Sequence, residues 1–199
     1  MRILILFSIW LIGNPLFAME NPPIFDSYRA EQGLSMNIVN DIVTDDRGFL
    51  WIATQAGLLR YDGKNFKVYK VDQNKGPTEK HIKKLFFGKK KQLWLLTKSD
   101  GLNLYKPKSD SFTSFNESNS PLSNTEIIDI YQDDDSNLWL ATQNNGLIHY
   151  SPNENKIMNH FLPSSKDKGI ISNKLTLLLA DQLDRIWIVI VDPEIETVS

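Results

Sequence analysis

Three histidines and one acidic run are the parts of this 199-residue chain whose types and spacing could do chemistry. The run is "DDDSN", Asp133 to Asn137. Asp133, Asp135 and Asn137 supply the oxygen ligands that an EF-hand calcium loop places at its positions 1, 3 and 5. Such a loop needs Gly at position 6 for its turn and a bidentate Glu at position 12. Those positions hold Leu138 and Asn144, so the run reads as a solvated hairpin turn. His81, His149 and His160 have no partner at metal-ligand spacing. His81, in "EKHIKKLF", has a superficial likeness to a phosphoacceptor histidine but falls just before an apolar strand. Cysteine is absent, which removes disulfides, thiolate nucleophiles and Cys-based zinc sites together. No nucleophile-elbow glycines support a Ser-His-Asp triad, and no phosphate-binding glycine loop is present. The expectation is no catalytic, cofactor-binding or metal-binding residue.

The composition bounds the class. The chain is 41% hydrophobic and 11% aromatic, enough for a real core. Its net charge of −2 lacks the basic excess of a nucleic-acid surface. At the N-terminus Arg2 precedes an apolar run, Ile3 to Gly13, too short to span a bilayer comfortably. Pro15 breaks the run and Ala18 offers a small residue for cleavage, so residues 1–18 read as a secretory signal peptide. No later stretch is apolar enough to cross a membrane, and the expected location is exported and periplasmic.

The elements that must position any site are set by a repeat. Trp51, Trp94, Trp139 and Trp187 are spaced by 43, 45 and 48 residues, and one register returns around each. Val39, Ile82, Ile127 and Leu175 precede them at one offset; Ile42, Leu85, Ile130 and Leu178 do so at a second. The turn formers Asp45, Gly88, Asp133 and Asp181 stand closer. After the first three tryptophans come Thr54, Thr97 and Thr142, then Gly57-Leu58, Gly101-Leu102 and Gly146-Leu147, then Tyr61, Tyr105 and Tyr150. Each unit therefore holds four short apolar runs separated by turns. In the first unit these are strand A at about 38–44, B at 49–54, C at 57–62 and D at 66–71. Four strands in 40–50 residues make a propeller blade, and the Trp fills the space between blades. The i, i+3 spacing in the A strands is a helical period, but β-branched residues and acidic turns disfavour helix. The first apolar position is placed at the strand's entry or beside a bulge.

The expected architecture is all-β: an incomplete β-propeller with three full four-stranded blades and a partial fourth. Blade one covers 38–72, blade two 81–116, blade three 126–162 and the partial blade 174–191. Ile24 to Arg29 matches the segments that precede the later A strands, and reads as a lone D strand. The fourth unit starts in register but continues "VIVDPEIETVS", without the Gly-Leu and Tyr of a C strand.

"GLSMNIVNDIVTDDRGFLWIATQAGLLRYDGKNF" resembles the two-component regulator propeller repeat. The match is carried by Leu34, Ser35, Asn37, Asp45, Gly48, Leu50, Trp51, Ile52, Thr54, Gly57, Leu58, Arg60, Tyr61, Asp62, Gly63 and Phe66. Leu122, Ser123, Asn124, Asp133, Leu138, Trp139, Thr142, Gly146, Leu147 and Tyr150 repeat it; the second unit departs at its A–B turn, "GKKKQ". The resemblance covers roughly residues 24–190. It implies the periplasmic sensor region of a hybrid two-component system, whose histidine kinase is anchored in the inner membrane. It further implies oligosaccharide ligands derived from polysaccharides. The kinase and the other downstream domains of that family are not in this sequence, so the chain reads as an N-terminal fragment without phosphotransfer of its own.

No ligand-binding residue is identified. Loops that vary between blades would carry one, and the B–C turns are candidates: Gln55-Ala56, Ser99-Asp100 and Asn144-Asn145. Trp51, Trp94 and Trp139 could stack on sugars, but their fixed place in the repeat puts them in the core. The lysines of "GKKKQ" read as a wet loop. Expected partners are such a ligand, the remaining blades of a longer parent, or further copies of the chain through open sheet edges and faces; nucleic acid is not expected. Two other readings stand beside sensing. One is a propeller lyase or hydrolase, which charged residues converging on the axis would favour. The other is the remnant of a sensor gene.

Overall fold

The structure is a computed structural model and describes residues 38–72, 75–99, 101–116, 118–122, 125–163 and 169–190. The expected signal peptide (1–18), the lone D strand (24–29), Asp100 and the last residue of the partial blade lie outside the described residues. Three four-stranded antiparallel meanders follow one another. The first is β1 (Val39–Thr44), β2 (Leu50–Thr54), β3 (Gly57–Tyr61) and β4 (Phe66–Tyr69). The second is β5 (Ile82–Phe87), β6 (Leu93–Thr97), β7 (Leu102–Lys106) and β8 (Ser111–Phe115). The third is β9 (Ile127–Gln132), β10 (Leu138–Thr142), β11 (Leu147–Ser151) and β12 (Lys156–Phe161). A two-stranded sheet, β13 (Leu175–Ala180) and β14 (Ile186–Ile190), completes them. This is an incomplete β-propeller, with three full blades and the first two strands of a fourth.

The helical spacing of the A strands has a plain cause. Each of these strands carries a register irregularity near its start, between Val39 and Asp41, Ile82 and Lys84, Ile127 and Asp129, and Leu175 and Leu177. A bulge inserts one residue, so residues three apart return to the same face. Ile82 and Leu85 consequently enter one core cluster, Ile127 and Ile130 a second, and Leu175 and Leu178 a third.

Each cluster is an interface between two blades. Trp51, Ala53, Leu58 and Tyr69 of the first blade pack forward on Ile82, Leu85, Leu93 and Leu95 of the second. Trp94, Leu96 and Leu104 pack on Ile127, Ile130, Leu138, Leu140 and Tyr150. Ala141 and Leu147, with the partly buried Trp139, pack on Leu175 and Leu178. The tryptophans are therefore not equivalent. Trp51 and Trp94 are fully buried, Trp139 is partly exposed, and Trp187 is 55% exposed because no described blade lies in front of it. The core role expected of Trp51, Trp94 and Trp139 holds in full for the first two, whereas Trp139 is only partly buried.

Polar contacts fix the register between blades. The Asp41 carboxylate in β1 accepts the backbone N–H of Leu85 (2.9 Å) in the next innermost strand. Asp129 in β9 accepts that of Leu178 (3.0 Å). In the second blade the same place holds Lys84, whose Nζ lies 2.6 Å from the other Asp129 oxygen. The A–B turns use a second carboxylate. Asp45 accepts the Trp51 indole N–H (3.0 Å) and the backbone N–H groups of Arg47 and Phe49. Asp181 does the same for Trp187, Leu183 and Arg185. The second blade has Gly88 there. Among the described residues its buried Trp94 indole N–H has no hydrogen-bond partner, and a Cβ on Gly88 would stand 2.3 Å from Oε1 of Gln132, which among them is likewise buried without one.

The lysines of "GKKKQ" are not simply a wet loop. Lys91 pairs with Asp46 (3.1 Å), and Lys89 with both Asp134 (3.3 Å) and Asp184 (2.6 Å). The basic A–B turn of the second blade thus bonds to the acidic A–B turns of the first, third and fourth units. Each such pair is exposed and individually worth little, on the order of 0–1 kcal/mol.

A further clasp joins the first two blades at Asp110, which sits in the C–D turn of the second with φ of 50°. Its carboxylate accepts from Tyr69 (2.7 Å), Tyr105 (2.8 Å) and Lys67. Partial burial pushes its pKa up, but these donors outweigh it and hold the carboxyl at about 2.

Two predictions follow from burial and from that carboxylate. Trp51→Ala removes a fully buried ring and should lower unfolding free energy by about 3–5 kcal/mol. Trp187→Ala, on an open face, should cost under about 1 kcal/mol. Equilibrium denaturation separates them, and equal losses would contradict the assignment of Trp51 to an interface. The Asp110 pKa lies below its ordinary value, so its bonds stabilise above about pH 4, and that contribution is lost as the pH falls toward 2. Thermal melts of Asp110→Asn should show a shallower fall than wild type across this window; parallel curves would refute the clasp.

Candidate functional site at the B–C turn end

In an antiparallel meander the A–B and C–D turns share one end of the blade, and the B–C turns share the other with the D-to-A connections. The B–C end is built on a repeated device. Thr97 donates both its backbone N–H and its hydroxyl to the Gly101 carbonyl (3.1 Å each). Thr142 does so to Gly146 (3.1 and 2.7 Å), and the Thr54 hydroxyl donates to Gly57 (2.8 Å). Glycine is needed at 101 and 146: φ is +70° and +68°, and a Cβ would meet the carbonyl of the facing D strand at 2.3 and 2.2 Å. The Thr and Gly pin the turn, and the residues between them are free to differ.

The candidate turn residues fall in different surroundings. Ala56 donates its N–H to Thr54 Oγ1 (3.0 Å) within its own turn. Ser99 donates its N–H to Glu79 (2.8 Å), which ties the second turn to the connection before β5. Asn145 donates its N–H to Thr142 Oγ1 (2.9 Å), accepts a His160 ring contact at its carbonyl (2.7 Å), and reaches Thr125 with its amide (3.5 Å). Gln55 and Asn144 lie exposed, and Asp100 is outside the described residues.

Between the second and third blades this end opens a cavity of about 240 Å³. One wall is Thr97, Lys98, Ser99 and Gly101; the other is Asn116, Leu122, Thr125, Glu126 and Ile127. Glu126 is held in place by Lys83 (2.5 Å) and by the Gln143 amide, whose nitrogen faces both carboxylate oxygens (2.6 and 3.0 Å). Lys98, an exposed residue of the lining, donates its backbone N–H to the His81 carbonyl (3.0 Å). The lining thus presents a cation, a carboxylate, hydroxyls and an amide over a small apolar floor. That is a set of donors and acceptors for a small polar molecule.

The sequence pointed to Ser99 for this site but missed the opposite wall. Its signal was available: a meander places every D-to-A connection beside a B–C turn, so "NESNSPLSN" had to border Ser99.

The opposite end also has a cavity, of about 230 Å³, between Asp45, Arg47, Phe87, Lys91 and Tyr105. Its charges are engaged with one another: Arg47 bonds Asp45 (3.0 Å) and Lys91 bonds Asp46. Nor do the other chemically suggestive residues gather into a centre. Asp133 accepts the backbone N–H groups of Asp135 (3.1 Å) and Asn137 (2.9 Å), and its second oxygen lies 2.9 Å from His149 Nε2. His149 stacks on Trp139 with centroids 4.2 Å apart. Among the described residues no group of three His, Cys, Asp or Glu side chains could hold a metal ion.

Comparison with known proteins agrees with this architecture. The two component regulator propeller family matches residues 33–56 and 121–144. A histidine kinase of Formosa agariphila, named P4, is 41% identical over 66 residues, covering 33% of this chain and 5% of the kinase. Among solved structures, the extracellular domain of a hybrid two component system from B. thetaiotaomicron superposes with a TM-score of 0.64 at 22% identity. That superposition covers 82% of this chain and 29% of the other. The extracellular domain of a one component system from the same organism gives 0.65 at 21% identity, covering 82% and 21%. Virginiamycin B lyase from Staphylococcus aureus gives 0.55 at 14% identity, covering 76% and 48%. At these identities the superpositions show the propeller fold, and the chain spans under a third of the two extracellular domains. The first and third repeats are thus similar to the two component regulator propeller repeat, and the fold they build is shared with these extracellular domains.

Proposed function

We propose that this chain is part of the exported, ligand-sensing propeller of a hybrid two-component sensor, and that its ligand is an oligosaccharide. The observation that carries the reading is the cavity at the B–C end. Its walls are Lys98, Ser99, Thr125 and Glu126, residues that differ from their counterparts in the other repeats, held on the Thr-Gly turn that recurs. A polyhydroxylated ligand matches a lining of hydroxyl, amide and charged groups, since buried polar groups reject ligands that leave them unpaired. The repeat family and the extracellular domains that share the fold supply the sensing context. Export fits the leader-like residues 1–18, and no helix among the described residues is long and apolar enough to cross a membrane.

Catalysis is the weaker reading. An enzyme site at the propeller axis would draw on the charged residues of the innermost strands. Asp41, Lys83, Lys84 and Asp129 are those residues among the described strands, and they are engaged between blades.

Calorimetric titration of the chain with a panel of oligosaccharides tests the proposal. At least one should bind, and the Lys98→Ala, Thr125→Ala double variant should bind it at least about tenfold more weakly, a loss of about 1.4 kcal/mol. Its melting temperature should stay unchanged. No binding across the panel, or equal binding by the variant, would refute this site.

A further inference from the structure

Glu126 stands directly before the first apolar residue of its A strand, where the repeat places Ile38, His81 and Lys174 in the other units. Gln143 follows the turn threonine, as Gln55 and Lys98 do. The backbone bond between these two positions recurs: Lys98 donates its N–H to the His81 carbonyl and Gln143 to the Glu126 carbonyl, both at 3.0 Å. In the third unit the side chains bond as well. The Gln143 amide nitrogen donates to Oε2 of Glu126 (2.6 Å) and lies 3.0 Å from Oε1. Ile38 opposite Gln55, and His81 opposite Lys98, offer no carboxylate for such a bond. From the second blade, Lys83 Nζ lies 2.5 Å from Glu126 Oε1. The carboxylate is therefore held both from its own blade and from the preceding one, and it lines the cavity between them.

We propose that Glu126 is the acceptor that orients the sugar, taking one ring hydroxyl as a hydrogen-bond donor on Oε2, and that Gln143 and Lys83 are the positioning residues that aim it. This assignment rests on the sensing reading and adds which group does the selecting. An ionised carboxylate offers about four lone-pair sites. Lys83 and Gln143 take both on Oε1 and one on Oε2, which leaves one on Oε2. The side chain is 43% exposed, so an incoming group can reach it. The Lys83 ammonium offsets the charge, so the remaining place suits a neutral hydroxyl better than a cation. A hydrogen bond to an ionised acceptor is about twice as strong as one between neutral groups. A sugar lacking the hydroxyl leaves that place unpaired, which is how a polar site rejects analogues. At about 240 Å³ the cavity is smaller than the roughly 300–1,000 Å³ that seats a drug-sized molecule, and it takes one sugar unit at a time.

Calorimetric titration of the full chain with neutral disaccharides of glucose, galactose, mannose and xylose, then with the monodeoxy analogues of whichever binds, reads the outcome. In wild type one analogue should bind at least about tenfold more weakly than its parent. In Glu126→Ala that analogue and its parent should bind alike, because the residue and the hydroxyl are coupled. Gln143→Ala keeps the carboxylate but releases it, so discrimination should fall between the two. A merely structural role for Glu126 would weaken parent and analogues together and leave their ratio unchanged, and that result would overturn the proposal. Glu126 is partly exposed, so the β-sheet circular dichroism should persist. If Glu126→Ala loses it, Glu126→Gln takes its place, and the ratio should fall without vanishing. Wild-type binding that the Lys98→Ala, Thr125→Ala double variant weakens, with an unchanged ratio in the Glu126 variants, would refute this assignment and leave the sensing site standing. Binding of no disaccharide by wild type would overturn both.

Discussion

Everything in this molecule rests on one constraint: a four-stranded blade has two apolar faces and cannot cover either by itself. Burial therefore happens only between blades, and the repeat is arranged to make one blade's forward face fit the next blade's rear face. The largest side chains sit where that demand is greatest, with Trp51 and Trp94 fully buried between sheets. Stability in such an array is close to a sum over nearest-neighbour interfaces. Apolar packing alone would let blades slide, since it is non-directional. The bulge in each innermost strand removes that freedom. It turns Asp41 and Asp129 toward the next blade's backbone, and a hydrogen bond to a single amide sets the register.

The second repeat shows how departures from a pattern are compensated across an interface. Gly88 replaces the turn carboxylate that holds the indole in the first and fourth units. The Gln132 amide from the third blade occupies the space an aspartate side chain would need. The basic turn "GKKKQ" meets three acidic turns. Lys84, in place of an aspartate, finds Asp129. Each substitution makes sense only with its neighbour present. The second blade is matched to its flanks and not interchangeable with them.

The blade boundaries and strand order were legible because the tryptophan register and the Thr-Gly turn repeat in the sequence itself. The A-strand spacing was legible as an anomaly, and its bulge is the physical reason. What the sequence hid is what lies between repeats. The pairing of Lys89 with Asp184 joins residues two units apart, and no local pattern encodes it. The unequal burial of the four tryptophans depends on which neighbour is present, which a single repeat cannot say. The candidate site was half legible: Ser99 stands in a variable turn, whereas Thr125 and Glu126 belong to a connection with no periodic signal. His149, in β11, was read as isolated because its partner, Asp133, lies in the A–B turn and meets it only through the pairing of the sheet.

The two ends of the array consequently have different freedom to vary. At the A–B end, the carboxylates cap the indoles, and charges bind the turns of one blade to those of the next. A change there is felt through an interface. At the B–C end, Thr97 with Gly101 and Thr142 with Gly146 close each turn within its own blade. The intervening side chains, Lys98, Ser99, Gln143 and Asn144, are dispensable to the turn's own closure. Sequence can drift at that end while the core is kept, because loops tolerate what packed faces do not. Recognition and stability are thereby assigned to opposite edges of the same sheets, and the short Thr-Gly turn is what separates them.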